Sequence, residues 1–203
     1  MVPAIADPKT PEALRDAMRA IERAFLIGVP EATEVWLIRH ADCYDDLAGE
    51  TADPPLSGAG REQARRLGER LRRLSFDGVY VSPLRRAVET AELAGLRYRL
   101  EPRLVEVTTD LEGGRIEVSE GPEQVLERMR AAVAEAVAAH PGGRVAMVGH
   151  GVAILGYLCD VLRLEFGGLR ILPYYTSVST VRVLGERRMV GALADTAHLE
   201  AAT

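Results

Sequence analysis

The sequence predicts an α/β fold, a three-layer α/β/α sandwich with a mostly parallel central sheet, and three observations predict it. Short, non-alternating apolar runs at 35–38, 79–81 and 145–148 read as buried strands. Helical patterns separate them. Two strand-like stretches, 177–184 and 187–193, close the chain around Gly185 and Glu186, which suit a hairpin turn. Strands alternating with helices imply a sheet covered on both faces.

The elements follow in order. Residues 11–26 place Leu14, Met18, Ile21 and Phe25 at steps of four, three and four, an amphipathic helix with Thr10 as N-cap and Pro11 in its first turn. This stretch, within 1–33, is expected to be an extension without catalytic content that packs on the body or on a second subunit, which leaves a homodimer open. Residues 34–203 are expected to form one domain. The first strand is 34–39, followed by a polar loop over 42–57. A helix over 58–74 turns Ala64, Leu67 and Leu71 inward. A loop at 75–78 leads to the second strand, a helix over 84–94 and a short strand at 98–100. Residues 106–120, with Gly113, Gly114 and many acids, read as a loop beside the site. A helix opens at Gly121, Pro122 and Glu123 and stops at His140, Pro141 and Gly142. A strand at 144–148 and a helix at 151–162 precede the final hairpin.

Composition narrows the function. With 203 residues and 47% hydrophobic content, the chain can bury one sizeable core. No apolar stretch approaches membrane-spanning length and no signal-peptide pattern opens the sequence, so a cytoplasmic protein without membrane contact is expected. A net charge of −5 without a basic run argues against nucleic acid as partner. Cys43 and Cys159 show no metal or disulfide spacing; Cys159 reads as a small buried thiol, and Cys43, three residues beyond His40, as a partly buried thiol, with an oxidisable or site-lining thiol as the alternative. The one lysine, Lys9, follows no glycine-rich loop, which excludes a P-loop and a Schiff-base mechanism.

The chemistry lies at strand ends. Arg39 and His40 end the first apolar run, and His150 follows the run at 145–148. Arg85 enters the first turn of the helix after the second strand. Open α/β sheets place ligands at such rims. Arginine forks and histidines near helix N-termini favour a phosphate dianion. A neutral imidazole is a competent nucleophile toward phosphorus, and Arg39 and Arg85 can cover the equatorial oxygens of a transferring phosphoryl group. His150, if protonated, adds a donor. Arg86 has two readings of equal weight, a substrate contact or an outward helical arginine in a salt bridge.

The segments LIRHA, PLSGAGREQARRLGERL, VYVSPLRRAVETAEL and VAMVGHG, in this order over about 35–184, resemble the histidine phosphatase superfamily, the phosphoglycerate mutase-like fold. The resemblance implies His40 as nucleophile, Arg39, Arg85 and His150 as the phosphate pocket, no metal and no cofactor. It also implies an acid after an LxE segment. Leu104, Val105 and Glu106 match that spacing, so Glu106 is the expected general acid and then the base for water, with Asp110 and Glu112 as rivals.

Three departures matter. Ala41 replaces the family's glycine, which would strain the chain by roughly 1–2 kcal/mol if φ were positive there. Asp46 stands where an asparagine is often found, with Asp42 and Asp45 nearby, and these carboxylates are expected to turn to solvent or to a cationic part of the substrate. The mutase segment after the acid is replaced by Val107, Thr108 and Thr109. Few extra cations are present to retain a bisphosphorylated intermediate, so hydrolysis of a small phosphorylated metabolite is expected. The alternatives are a mutase-type phosphotransferase and a phosphate-binding scaffold. Trp36 is expected in the core, Ser57 as an N-cap and His140 at a helix end, and His198 lies in a polar tail with no partner signal. Ser82 is open as a phosphate donor, and Tyr174, Tyr175 and Thr176 as pocket borders.

Overall fold

The structure, a computed structural model, describes residues 10–44, 53–107, 109–112, 115–118, 120–166 and 168–200, with the backbone alone described over 109–112 and 115–118. The elements run α1 (Pro11–Ala24), β1 (Thr33–Arg39), α2 (Gly58–Leu71), β2 (Gly78–Val81), α3 (Arg85–Leu93), β3 (Arg99–Leu100), β4 (Thr109–Glu112), β5 (Arg115–Val118), α4 (Pro122–Ala139), β6 (Arg144–Gly149), α5 (Gly151–Val161), β7 (Val178–Leu184) and β8 (Arg187–Asp195). The main sheet has the order β3-β2-β6-β1-β7-β8. Its first four strands are parallel, and β7 and β8 are antiparallel additions.

Alternation along the strands assigns the two cores. Val35, Leu37, Val145 and Met147 pack with Met129 and Val133 of α4 and Ile154 and Leu158 of α5. Ile38, Ala146 and Val148 pack with Leu67 and Leu71 of α2 and Ala87 and Ala91 of α3, with Trp36 at the margin. The sheet is therefore a middle layer whose apolar runs are buried on both faces, each Leu, Ile or Val contributing about 1.5–3 kcal/mol.

Caps set two helix starts as the sequence predicts. Thr10 accepts from the Ala13 N–H at 3.2 Å, and Ser57 accepts from the Gly60 N–H at 2.9 Å. Gly60 is needed for another reason, since a Cβ there would meet the Asp42 carbonyl oxygen at 1.9 Å. The loop after β1 thus lies directly on the first turn of α2.

No side chain of α1 is fully buried, and Leu14, Met18 and Phe25 are about half exposed, so within one chain its apolar stripe is largely open. Arg187 does bond the Arg23 and Ala24 carbonyls at the helix end. One expectation needs correction. Residues 106–120 are more than a loop: β4 and β5 pair antiparallel from Thr109↔Val118 to Glu112↔Arg115. Gly113 and Gly114, which stand between them in sequence, lie outside the described residues.

Candidate active site

β1 delivers Arg39 and then His40 to the C-terminal edge of the parallel strands. The His40 N–H donates to the Gly149 carbonyl at 2.9 Å and its carbonyl accepts from the Thr176 N–H at 3.3 Å, so its backbone is held from both sides. The ring is buried, with Nδ1 2.7 Å from the Ala41 carbonyl oxygen. A carbonyl only accepts, so Nδ1 carries the proton and Nε2 keeps its lone pair. Ala41 is not among the positive-φ residues, so alanine is unstrained there.

The Arg39 guanidinium lies 4.1 Å from the Tyr175 ring centroid and donates to the Pro173 carbonyl at 2.7 Å. Its Nε is buried without a partner. Gly151 permits this placement, because a Cβ there would come within 3.2 Å of Arg39 Nε.

The arginine of α3 that enters the site is Arg86, which corrects the sequence reading of Arg85. The Arg85 side chain is 57% exposed and pairs with Glu89 one turn on, at 2.7 Å. Arg86 is buried, with one nitrogen on Asp53 at 3.3 Å and Nε unpartnered. Its helix is tied to the segment that follows β1: Thr90 donates to the Arg86 carbonyl at 2.6 Å and accepts from the Ala41 N–H at 2.9 Å. Asp53 accepts from the Arg85 N–H at 2.9 and 2.8 Å and so serves the N-terminus of α3.

His150 is fully buried, its ring centroid 5.0 Å from that of His40. Nε2 lies 2.8 Å from Ser82 Oγ and Nδ1 has no partner. Ser82 is thus turned to His150. If its hydroxyl donates to Nε2, Nδ1 carries the proton and becomes a free donor. Glu106 is half-buried and bonds the first turn of α5, accepting from the Val152 and Ala153 N–H groups at 3.1 Å each and from Val107 N–H at 2.9 Å. It therefore stands at the helix that His150 opens.

Asp42 does not turn to solvent as expected. It is buried, accepting from Ser57 Oγ at 2.5 Å, while its N–H donates to Gln63. Asp45 and Asp46 lie outside the described residues, as do the side chains of Asp110 and Glu112. Cys43 and Cys159 are free and buried. Among the described residues, no group of three or more His, Cys, Asp or Glu is placed to hold a metal ion, and no helix is long and apolar enough to cross a membrane. His198 has partners that its sequence neighbours do not signal: Arg70 donates to Nδ1 at 3.2 Å and Thr176 Oγ1 lies 3.0 Å from Nε2. The C-terminal segment thereby supports the 173–176 wall that holds Arg39 and His40.

Comparison with known proteins decides the family. The model of the histidine phosphatase superfamily (branch 1) matches residues 35–118 and 108–196. The chain belongs to the histidine phosphatase superfamily. It is 31% identical over 152 residues to an uncharacterized phosphatase PhoE of Bacillus subtilis (strain 168), covering 64% of this chain and 77% of that one. It is 28% identical over 206 aligned residues to a probable phosphoglycerate mutase GpmB of Klebsiella pneumoniae (strain 342), covering 83% and 95%. A crystal structure of phosphoserine phosphatase from Entamoeba histolytica, in complex with 3-phosphoglyceric acid, superposes with a TM-score of 0.70 at 19% identity, over 83% of this chain and all of that one. That likeness establishes the shared fold.

In this member of the superfamily the site holds its imidazoles neutral. Burial pushes His40 down to about 3, with Arg86 and Arg39 adding to the effect and the Ala41 bond opposing it. Burial also drives His150 well below its ordinary value, with His40 and the same two arginines contributing. His198 is pushed down to about 4 by burial and by Arg70, against Asp195.

These shifts have a sign. The unfolded chain takes up protons near pH 6.5 where the folded chain refuses them, so stability is complete above that pH and is lost as pH falls toward the folded values. Each imidazole adds a slope approaching about 1.4 kcal/mol per pH unit. Urea unfolding at pH 7.5, 6.0 and 5.0 is expected to show progressive loss, before the carboxylates titrate. Equal stability at pH 7.5 and 5.0 would refute the assignment of neutral buried imidazoles.

Proposed function

We propose that the protein is a phosphatase that hydrolyses a small-molecule phosphate monoester through a phosphohistidine on His40. The observation that carries this reading is that Arg39 Nε, Arg86 Nε and His150 Nδ1 are buried without partners, on residues whose charge or ring bears directly on His40, an imidazole whose Nε2 lone pair is fixed by the bond to Ala41. Buried polar atoms are rarely left unpaired without a role, and a phosphoryl group satisfies donors of this kind.

In the first step His40 Nε2 attacks phosphorus, the P–O bond to the alcohol breaks, and the leaving oxygen takes a proton from Glu106. In the second step water gives a proton to Glu106 and attacks phosphorus, which releases phosphate and restores Nε2. Arg39 and Arg86 stabilise charge on the equatorial oxygens in both steps and call for no metal or cofactor. His150 contributes a donor through Nδ1 when Ser82 holds its other nitrogen.

The relatives named as probable phosphoglycerate mutases favour a second reading, transfer of the phosphoryl group to another hydroxyl. One experiment separates them. Quenching at neutral pH during turnover of a radiolabelled ester is expected to trap a phosphoryl group on His40, labile to acid and stable to base, with label appearing as free phosphate. Label on a serine or aspartate would overturn the mechanism. Label retained on a second organic alcohol would favour the mutase reading.

A further inference from the structure

The side of the site that faces solvent is aromatic. Tyr175, stacked on Arg39, has its ring centroid 5.9 Å from that of His40. Tyr44 and Tyr174 flank it at 6.5 and 5.4 Å. Tyr44 is 48% exposed, Tyr174 53% and Leu172 58%. Leu172 belongs to the same mouth, since a Cβ on Gly151 would lie 3.4 Å from its Cδ1 and 3.2 Å from Arg39 Nε. Three tyrosines thus lead outward from the nucleophile beside an exposed leucine. A cluster of exposed aromatic and apolar side chains at a site mouth marks a binding surface, and tyrosine rings accept planar partners face to face or edge on.

Charge at the mouth points the same way. Arg39 and Arg86 both present buried nitrogens inward, where the phosphoryl group sits in the reading above. Arg61 and Arg85, in the first turns of α2 and α3, both pair with Glu89. Among the described residues, neither of these two first-turn arginines is left uncommitted to meet a second anion on the substrate. A carboxylate on the alcohol would gain nothing from these two arginines and would meet the electron-rich faces of the tyrosine rings.

We propose that this aromatic mouth selects phosphate monoesters of neutral alcohols bearing an aromatic or planar apolar body, and discriminates against alcohols bearing a carboxylate. The proposal rests on the phosphatase reading and adds the substrate class to it. Tyr44 and Tyr174 are specificity-determining residues, whereas Tyr175 supports Arg39 and is left intact in the test.

Three alkyl esters, 2-phenylethyl phosphate, glycerol 3-phosphate and 3-phosphoglycerate, all leave as alkoxides and so need similar chemical help. The value of kcat/KM for 2-phenylethyl phosphate is expected to exceed that for 3-phosphoglycerate at least tenfold, mainly through KM. The Tyr44→Ala/Tyr174→Ala variant should lose most of that preference, chiefly through a raised KM for 2-phenylethyl phosphate. Tyr174→Leu, which keeps apolar bulk, should show an intermediate loss. Equal use of the aromatic and carboxylated esters, or a preference unchanged in the double variant, would overturn the proposal.

If no ester were hydrolysed, the phosphatase reading would fall. Calorimetry with the non-hydrolysable 2-phenylethylphosphonate and phosphonoacetate then tests the mouth alone. Tighter binding of the aromatic phosphonate, weakened in the double variant, upholds the proposal, and equal binding of the two overturns it.

Discussion

Replacing His40 with alanine is expected to lower turnover by at least about a thousandfold, while vanadate or inorganic phosphate still binds. In the proposed mechanism the substitution removes the atom that forms the covalent intermediate, and it leaves the anion donors in place, because Arg39 is held by Pro173 and Tyr175 and Arg86 by Asp53. Steady-state assays measure the first effect and isothermal calorimetry the second. A variant that keeps a substantial fraction of wild-type activity would remove His40 from the mechanism. Loss of anion binding together with turnover, in a folded protein, would reduce its role to shaping the pocket.

The paired arginines give the second large effect. Arg86→Ala is expected to reduce kcat/KM by about 100- to 1,000-fold, the usual consequence of removing a preorganised charge from a developing oxyanion. Arg85→Ala should stay within about threefold, since an exposed i,i+4 pair with Glu89 contributes little. Arg86→Lys keeps the charge but loses the planar fork and should remain well below wild type. Thermal unfolding of each variant separates a lost donor from a lost fold. The opposite ranking, with Arg85 essential and Arg86 dispensable, would restore the reading taken from sequence.

That reversal shows where sequence was legible. β1 and β6 could be read because strands buried on both faces carry unbroken apolar runs, and the residues that end such runs, Arg39, His40 and His150, necessarily reach the sheet rim. Adjacent arginines in a first helical turn carry no such marker, and only helix phase separates them. The phase was present: Arg86 stands four residues before the buried Thr90, whereas Arg85 stands four before Glu89 in an ion-pair pattern. The β4–β5 hairpin was hidden because its strands are short and charged, although the Gly-Gly between them is a hairpin composition. The partners of His198 are 128 and 22 residues away, and nothing local encodes them.

The position of β1 in the sheet also governs when the site can come into being. This strand is paired on one side with β6 and on the other with β7. Glu34 must therefore wait for Arg144, 110 residues later in the chain, and Thr33 for Val183. Pairings at such separation are entropically slow, and an emerging chain carries 35–38 as an unpaired apolar segment until most of the polypeptide has been made. His40 acquires the Gly149 and Thr176 bonds that fix it only when both neighbours arrive. Formation of the site is thus a late event in folding, and recovered activity after dilution from denaturant reports the docking of β6 and of the segment that leads into β7.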